Sequence, residues 1–309
     1  MRTIGTILLI AINLTVFGQS KFYPLDDSHS QVKFIGHLGG MMDVEGTFGA
    51  INGYMRFDEN DLSQTSITLS IDPASVASGN EWRDKHLKNP DFLDIEQFPD
   101  LIFQSKAVKP EGKFLMVTGD LTLKGQTREM VIPMELAYPP TPDPWGNRRI
   151  GFNGKMDFLR SEVKIGPTEG FWSNSIADEF EMEFVISVVQ QNMDRMSVFN
   201  RSPMKEIYEA AEEGKTSSVK EQLQPLMESG KVQSEIVNQI GLRLDQHEKP
   251  NEALKIYQLT TELFSDDNNA YSNLARAFMD RGKLAKAKEN AKKALELDPK
   301  DVLAMEILK

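Results

Sequence analysis

Apolar and polar residues alternate along most of the chain up to about residue 190, and this alternation predicts β-strands. A period of two places the apolar side chains of each strand on one face, where they can be buried together. Gly46, Gly49 and Gly53 interrupt one long segment, as expected where strands bend in a barrel. The clearest alternating runs are residues 31–34, 67–71, 113–123, 128–138 and 181–186. We expect about eight antiparallel strands that form a β-barrel over residues 21–190.

Two segments interrupt this strand pattern. Residues 80–89 have the character of a short helix, with Asp84 and Lys88 one turn apart and Pro90 as a stop signal. Residues 139–146 contain four prolines and a tryptophan. We expect this segment to be a long, stiff loop between two strands.

From Pro203 onward the apolar spacing becomes that of amphipathic helices. The pattern repeats at a shift of 34 residues, so that Ile240 in residues 235–268 corresponds to Leu274 in residues 269–302. A helix pair repeated at this period is typical of tetratricopeptide (TPR) repeats, which stack to bury a shared apolar seam. The chain is therefore a multidomain protein, with a barrel followed by an all-α repeat region.

The first residues have the features of a secretory signal peptide. Arg2 supplies a positive charge, residues 4–17 are mainly apolar, and Gly18 offers a small residue at the cleavage point. The alternative is a buried N-terminal strand or helix. We expect export, to the periplasm of a Gram-negative envelope, and no transmembrane span. The expected organisation is a signal peptide at 1–18, the barrel at 21–190, a polar linker at 191–202 and helical repeats at 203–309.

Composition narrows the classes of function. The chain has no cysteine, which excludes disulfides, thiolate catalysis and cysteine-ligated metals. The net charge of −11 argues against a nucleic-acid partner, because phosphate neutralisation needs a basic surface. His29 and His37 are poorly spaced for one metal ion, and no nucleophile–base pair can be named. We therefore expect no metal, no cofactor and no enzymatic activity.

Short motifs follow one another along the barrel region. They are Asp26-Asp27-Ser28-His29-Ser30, Gly46-Thr47-Phe48, Ile71-Asp72-Pro73-Ala74-Ser75, Arg83-Asp84-Lys85-His86-Leu87, Phe98-Pro99-Asp100-Leu101-Ile102-Phe103, Gly119 to Thr127 and Phe158-Leu159-Arg160-Ser161. Their order and spacing resemble the YceI-like family of exported bacterial proteins. The resemblance implies a lipocalin-like, eight-stranded barrel around an apolar channel that holds an isoprenoid or fatty acyl chain. Leu159 and the following Glu162-Val163 depart from the family pattern.

Large apolar residues on the strands form the inward set. By strand parity alone they fit a solid core as well as a ligand channel, and the resemblance favours the channel. Methionines suit a channel wall because their side chains adapt to a flexible ligand. The predicted channel residues are Val32, Phe34, Leu69, Ile71, Leu101, Phe103, Met116, Met134, Phe158, Met182 and Phe184.

Arg83 and His86 lie three residues apart on the predicted short helix and share a face. Together they could bind a phosphate, carboxylate or amide headgroup at the channel mouth. The alternative is a structural role, in which they seat the helix on the barrel through backbone carbonyls or Asp residues.

The repeat region offers a second candidate surface on its inner helices, formed by Asn238, Arg243, Asn273 and Arg276. These side chains would bind an envelope protein or a peptide. A stabilising or dimerising appendage is the alternative, so a homodimer is a further expectation. The whole chain is then a lipid-binding protein with a docking region, or else a non-enzymatic envelope scaffold in which the barrel only provides stability.

Overall fold

The computed structural model describes residues 21–167, 169, 173 and 175–309. The signal peptide expected at residues 1–18 lies outside the described residues.

The described part of residues 21–190 folds into eleven antiparallel strand segments. The strands are β1 (Lys21–Pro24), β2 (Gln31–Leu38), β3 (Met42–Phe48), β4 (Ile51–Phe57), β5 (Ser66–Ile71), β6 (Val76–Ala77), β7 (Leu101–Glu111), β8 (Phe114–Leu123), β9 (Gln126–Pro142), β10 (Arg148–Leu159) and β11 (Ile176–Gln190).

Several of these segments are the two halves of one bent strand. β1 pairs with β4 while β2 pairs with β3, and β5 and β6 pair in turn with β4 and β3. From β5 the pairing continues to β7, β8, β9, β10 and β11, in that order. β11 returns to β2, and Leu25 bridges Val188. The pairings therefore form a ring, which confirms the antiparallel, lipocalin-like β-barrel.

The proline-rich segment is shorter as a loop than we expected. β9 continues through Pro139, Pro140 and Pro142, and only residues 143–147 turn back into β10. Prolines are tolerated here because this end of β9 pairs only with β10, after β8 has ended its pairing at Glu135. The expectation of a long loop over 139–146 is therefore wrong. The turn lies at the opposite end of β10 from Phe158.

The short helix of the barrel region, α1 (Glu81–Leu87), follows the expected signals. The side chain of Asn80 caps it by accepting a hydrogen bond from the Arg83 backbone N–H at 3.1 Å. The helix ends before Pro90, and residues 91–98 lead back to β7. α1 lies at the end of the barrel where β2 ends and β11 begins.

Seven helices follow in the described part of residues 203–309. They are α2 (Met204–Glu212), α3 (Thr216–Glu228), α4 (Ser234–Gln246), α5 (Pro250–Leu263), α6 (Asn268–Asp280), α7 (Leu284–Leu297) and α8 (Val302–Ile307). Alanines allow close packing of α6 and α7, since Ala275, Ala287, Ala291 and Ala294 are fully buried. The helices confirm an all-α repeat region after the barrel.

The helical region packs against the outer face of the barrel. Phe22 of β1 and Tyr54 of β4 point outward and join the apolar core of the helices. The last described helix of this region, α8, also packs on the barrel, against β4 and β5. Lys300 adds an ion pair with Asp100 at 2.6 Å.

Residues 191–202 do not behave as the polar spacer that their composition suggests. Met193 and Phe199 are buried in the core of the helical region, at 0% and 2% exposure. Asp194 accepts a hydrogen bond from Arg243 of α4 and pairs with His247, the residue that follows α4. The segment therefore holds the helices against the barrel, because its few apolar residues provide anchors.

Candidate functional site

A chain of three cavities follows the barrel axis. The largest set of wall residues surrounds the barrel cavity, which has a volume of ≈80 Å³. A single water molecule needs roughly 10–15 Å³ of such volume, so the cavity has room for several water-sized groups but not for a whole lipid. Apart from Thr65 and Ser66, its wall is apolar. The interior is therefore neither a wide tunnel nor solidly packed.

Two more cavities connect this space to the α1 end of the barrel. The middle cavity, ≈60 Å³, shares Leu101, Phe158 and Met182 with the barrel cavity. The mouth cavity, ≈380 Å³, shares Phe34 and Phe180 with the middle cavity. The shared walls indicate one interrupted channel, which widens towards α1.

The opposite end of the channel is closed by three aromatic rings, here called the aromatic floor: Tyr23, Phe57 and Phe152. Phe152 lines the barrel cavity and meets Phe57 edge-on, with 6.1 Å between ring centroids. Phe57 meets Tyr23 in the same way at 6.4 Å. All three rings are buried. The channel is therefore blind at this end.

The structure brings the predicted channel residues together with one exception. Val32, Phe34, Leu69, Ile71, Leu101, Phe103, Met134, Phe158, Met182 and Phe184 all line one or more of the three cavities. Met116 does not, because its neighbours Leu115 and Val117 occupy the inward positions of β8. Its expected place on the channel wall is therefore wrong.

Methionines are concentrated on the wall of the barrel cavity. They are Met55, Met130, Met134, Met156 and Met182. Unbranched thioether side chains have several rotatable bonds and fill irregular space easily. The side chains of such a wall can change rotamer to admit a ligand at a small cost in free energy. A wall made only of β-branched residues, whose χ1 angles are restricted, could not.

Phe34 reaches the channel because β3 has a glycine beside it. A side chain at Gly46 would overlap the Phe34 ring, so only glycine leaves the ring its position. Phe34 also contacts Phe180, with 6.3 Å between ring centroids. These residues form the narrow passage between the middle and mouth cavities.

Arg83 and His86 both line the mouth cavity, as the helical spacing predicts. Arg83 is bound to the preceding loop, since Nε donates to Ser78 Oγ at 2.8 Å and a terminal nitrogen to the Ser78 carbonyl at 2.7 Å. The His86 ring lies between those of Trp82 and Phe92, at 5.5 and 5.0 Å. Both side chains help to seat α1, and their contact with a headgroup stays a prediction.

Arg160 is a further residue of the site that we did not single out. It is 5% exposed and lines the middle cavity. The hydrogen bonds that its guanidinium makes within the described part of the chain all go to backbone carbonyls, of residues 165, 167, 173, 176 and 177. Arg160 thus fixes Pro167 and Ile176 at the mouth. The sequence feature that could have identified Arg160 as a site residue is its place in the Phe158–Ser161 motif.

The helical candidates are less accessible than we expected. Asn238 is 6% exposed, and the side chains of Arg243 and Arg276 are 13% and 12% exposed. Arg243 stacks on Tyr208 at 4.4 Å, Arg276 donates to the Tyr257 hydroxyl at 2.9 Å, and Asn273 donates to the Asn269 carbonyl at 2.9 Å. Residues 191–202 and the barrel cover part of this face. A role of these residues in partner binding stays a prediction.

Comparison with known proteins identifies the barrel. A family model described as a YceI-like domain matches residues 23–188, which is more than half of the chain. The chain belongs to the YceI-like family. A second model, tetratricopeptide repeat, matches residues 269–301 and confirms the repeat region.

The curated relatives share the barrel part of the chain. Protein YceI of Salmonella arizonae is 36% identical over 169 residues, which are 54% of this chain and 84% of the relative. Protein YceI of Salmonella paratyphi B gives the same values. The YceI-like part of the chain is thus similar to nearly the whole of these proteins.

Solved structures also align with about half of the chain. BcnA of Burkholderia cenocepacia has a TM-score of 0.48 at 26% identity, over 53% of this chain and 98% of BcnA. A polyisoprenoid binding domain from Saccharophagus degradans has a TM-score of 0.42 at 14% identity, over 55% of this chain and 98% of that domain.

The described residues contain neither a candidate membrane-spanning helix nor a candidate metal site. No helix among them has the length and apolar character needed to cross a membrane. Within residues 21–167 and 175–309, no group of three or more His, Cys, Asp or Glu side chains is arranged to hold a metal ion.

Proposed function

We propose that this protein is an exported, periplasmic lipid-binding protein that holds an isoprenoid or fatty acyl chain inside its barrel. The observation that carries the proposal is the apolar channel, which widens towards α1 and is blind at the aromatic floor. Membership of the YceI-like family supports it. No cofactor and no catalytic step are part of the proposal.

The energy available from an apolar channel is sufficient for binding. Burial of each methylene contributes about 0.8 kcal/mol, so a chain of about 16–20 carbons contributes about 13–16 kcal/mol. Loss of translational, rotational and chain freedom removes about half of this or more. The remainder, about 6.5–8 kcal/mol when half is lost, corresponds to dissociation constants of about one to tens of micromolar, without any strong polar contact.

Loading requires movement of side chains, because the barrel and middle cavities are narrow. The residues best suited to move are the wall methionines, with Met182 between two cavities. At the mouth, Trp82 is 74% exposed and therefore free to move without loss of a buried contact. The ligand headgroup would lie near Arg83 and His86.

The helical region would dock the loaded barrel to an envelope protein or peptide. Asn238, Arg243 and Arg276 are already engaged within the chain, so a partner would have to displace those contacts or use the outer helices. Association of two copies of the chain through the helices is an outcome that the same experiments would reveal.

Native mass spectrometry of gently purified full-length protein tests the lipid-binding function. We expect a long-chain adduct that organic extraction releases and that added lipid restores. A protein that carries no adduct and takes up none of a panel of isoprenoids and fatty acids would contradict the proposal.

An envelope scaffold is the alternative function, and the extensive contact between helices and barrel favours it. In that case the barrel would only stabilise the helical region. Binding of a partner would depend on the helical face and not on lipid. A pull-down that survives a blocked channel but fails when Asn273 is replaced would support this alternative.

A further inference from the structure

The aromatic floor is held by contacts inside the channel and by contacts at the outer end of the barrel. Tyr23 is 1% exposed, and its hydroxyl lies beside Arg148, which pairs with Glu59 at the outer end of the barrel. Burial raises the pKa of the Tyr23 hydroxyl, while the Arg148 charge works in the opposite direction. The floor is therefore anchored both by ring contacts and from outside.

The geometry of the rings makes the floor rigid. The Phe57 and Phe152 planes meet at 66° and the Tyr23 and Phe57 planes at 84°, both of which are favourable edge-to-face arrangements. Each ring fills space that a flexible methionine would fill only loosely. A ligand that enters from α1 would displace methionines along its path and then stop at Phe152.

The inner part of the channel, next to the aromatic floor, has an almost entirely apolar wall. Thr65 and Ser66 are the polar residues of the barrel cavity, and the Ser66 hydroxyl is already bound to Glu306 outside the barrel. Among the described residues of this wall, the buried Thr65 hydroxyl is then the single side-chain group left to pair with a polar group of a ligand. A polar group at the inner end of a ligand would lose its hydration there without enough partners, which is unfavourable. The mouth cavity, by contrast, is lined by Asn80, Arg83 and Asp91.

We propose that the aromatic floor sets the maximum length and the orientation of the ligand. The ligand is a lipid with a single polar head, it enters tail first, and its apolar end stops at Phe152. The polar head stays at α1. This inference rests on the proposed lipid-binding function and adds to it a residue that limits chain length.

A length series measures the limit directly. Full-length protein is offered straight-chain fatty acids of increasing length, each with its counterpart hydroxylated at the far end, and retained ligand is quantified by native mass spectrometry. For the wild type, we expect retention to fall about tenfold beyond a limiting length. Each hydroxylated counterpart is expected to bind about tenfold more weakly than its parent.

Variants of the floor distinguish length control from general affinity. Phe152→Ala should move the limit to longer chains, and Phe152→Leu should move it in the same direction by less. Phe158→Ala is the matched control, because Phe158 also lines the channel but lies near the middle cavity. It should weaken all chain lengths without moving the limit. If Phe152→Ala does not fold, as judged by circular dichroism, Phe152→Leu decides.

The possible failures separate the two proposals. An unchanged limit in the Phe152 variants, or equal retention of parent and hydroxylated chains, would overturn the floor as the determinant while lipid binding stands. If Thr65→Val loses binding of the hydroxylated chains but keeps binding of their parents, then the inner end of the channel accepts polar groups. That result would also overturn the floor as the determinant. Wild-type protein that retains no member of the series and no isoprenoid either would contradict the lipid-binding function itself.

Discussion

Thr68 of the barrel and Glu306 of the last helix are 238 residues apart in the sequence and joined by a hydrogen bond of 2.8 Å. The Thr68 hydroxyl donates to Glu306 Oε2, and the Ser66 hydroxyl donates to Oε1. Lys309 Nζ pairs with the same carboxylate at 2.7 Å and donates to the Ile67 carbonyl at 2.6 Å. Burial lowers the pKa of the Lys309 ammonium, against the effect of Glu306. This buried polar cluster fixes α8 on β5.

Glu306→Ala should therefore destabilise the protein by about 3–5 kcal/mol, because it removes a fully buried carboxylate to which three groups are bound. The Lys309 ammonium, on a side chain that is 21% exposed, would lose its ionic partner. Thr68→Val should cost about 1.5–3 kcal/mol, the range for a hydrogen bond to a charged group. Urea denaturation measures both. Glu296→Ala is the control, since its pair with Lys293 is exposed and should contribute under about 1 kcal/mol. Equal effects of Glu306→Ala and Glu296→Ala would contradict the cluster's role.

The contribution of Asp26 to the free energy of unfolding depends on pH. Its carboxylate accepts from Ser28 Oγ at 2.6 Å and pairs with Arg149, which also donates to Ser187 Oγ at 2.7 Å. Partial burial opposes ionisation, but the hydrogen bonds from Ser28 and Arg149 hold the pKa of Asp26 below its usual value of 3.8. A lowered pKa means that the stabilisation is complete above pH 3.8 and is lost as the pH falls through the folded-state pKa.

Asp26→Asn should thus lower the stability at pH 7 by about 1–3 kcal/mol. The difference between wild type and variant should narrow as the pH falls below about 4, because the unfolded wild type then takes up a proton that the folded carboxylate binds only at lower pH. Thermal unfolding across a pH series checks this. A constant difference from pH 7 to pH 3 would show that the charge of Asp26 has no part in stability.

Blocking the passage between the cavities should abolish lipid uptake. Met182 lines both the barrel and the middle cavity, so the larger ring of Met182→Trp would fill the passage at a stability cost of about 1–3 kcal/mol. We expect lipid uptake to fall by about tenfold or more. Met116→Trp, on the outer face of β8, is the matched control. Loss of uptake in both variants would point to general damage and not to a blocked channel.

Removal of residues 203–309 should make the barrel associate. Phe22 and Tyr54 would then be exposed on neighbouring strands, and adjacent apolar side chains of this size promote association. Light scattering of the truncated chain should show larger particles than full-length protein does. The same truncation with Phe22→Ser and Tyr54→Ser should reverse this. Association that persists in the double variant would assign it to another surface.

The sequence predicts the barrel and most of its channel because strand parity is a local property. It does not settle parity for β8, where Leu115, Met116 and Val117 are all apolar and either face could be the inner one. Only the pairing of β8 with β7 and β9, which places Val117 between Val108 and Ile132, decides that Met116 points outward. This register depends on contacts far apart in sequence.

The helical face could not be predicted for a different reason. The repeat pattern identifies the inner side of α4 and α6 correctly enough to place Arg243 and Arg276 there. It carries no information on whether another part of the same chain covers that side. Asp194 and Tyr208, which enclose Arg243, belong to the polar segment 191–202 and to α2, both outside the two repeats.

Strand β5 has both of its faces in use. Ile67 and Leu69 line the channel, while Ser66 and Thr68, each one position away, bind Glu306. Because the barrel and the helical region share this strand, neither can unfold independently of the other. Calorimetry of the intact chain should accordingly give one cooperative transition, with equal calorimetric and van't Hoff enthalpies.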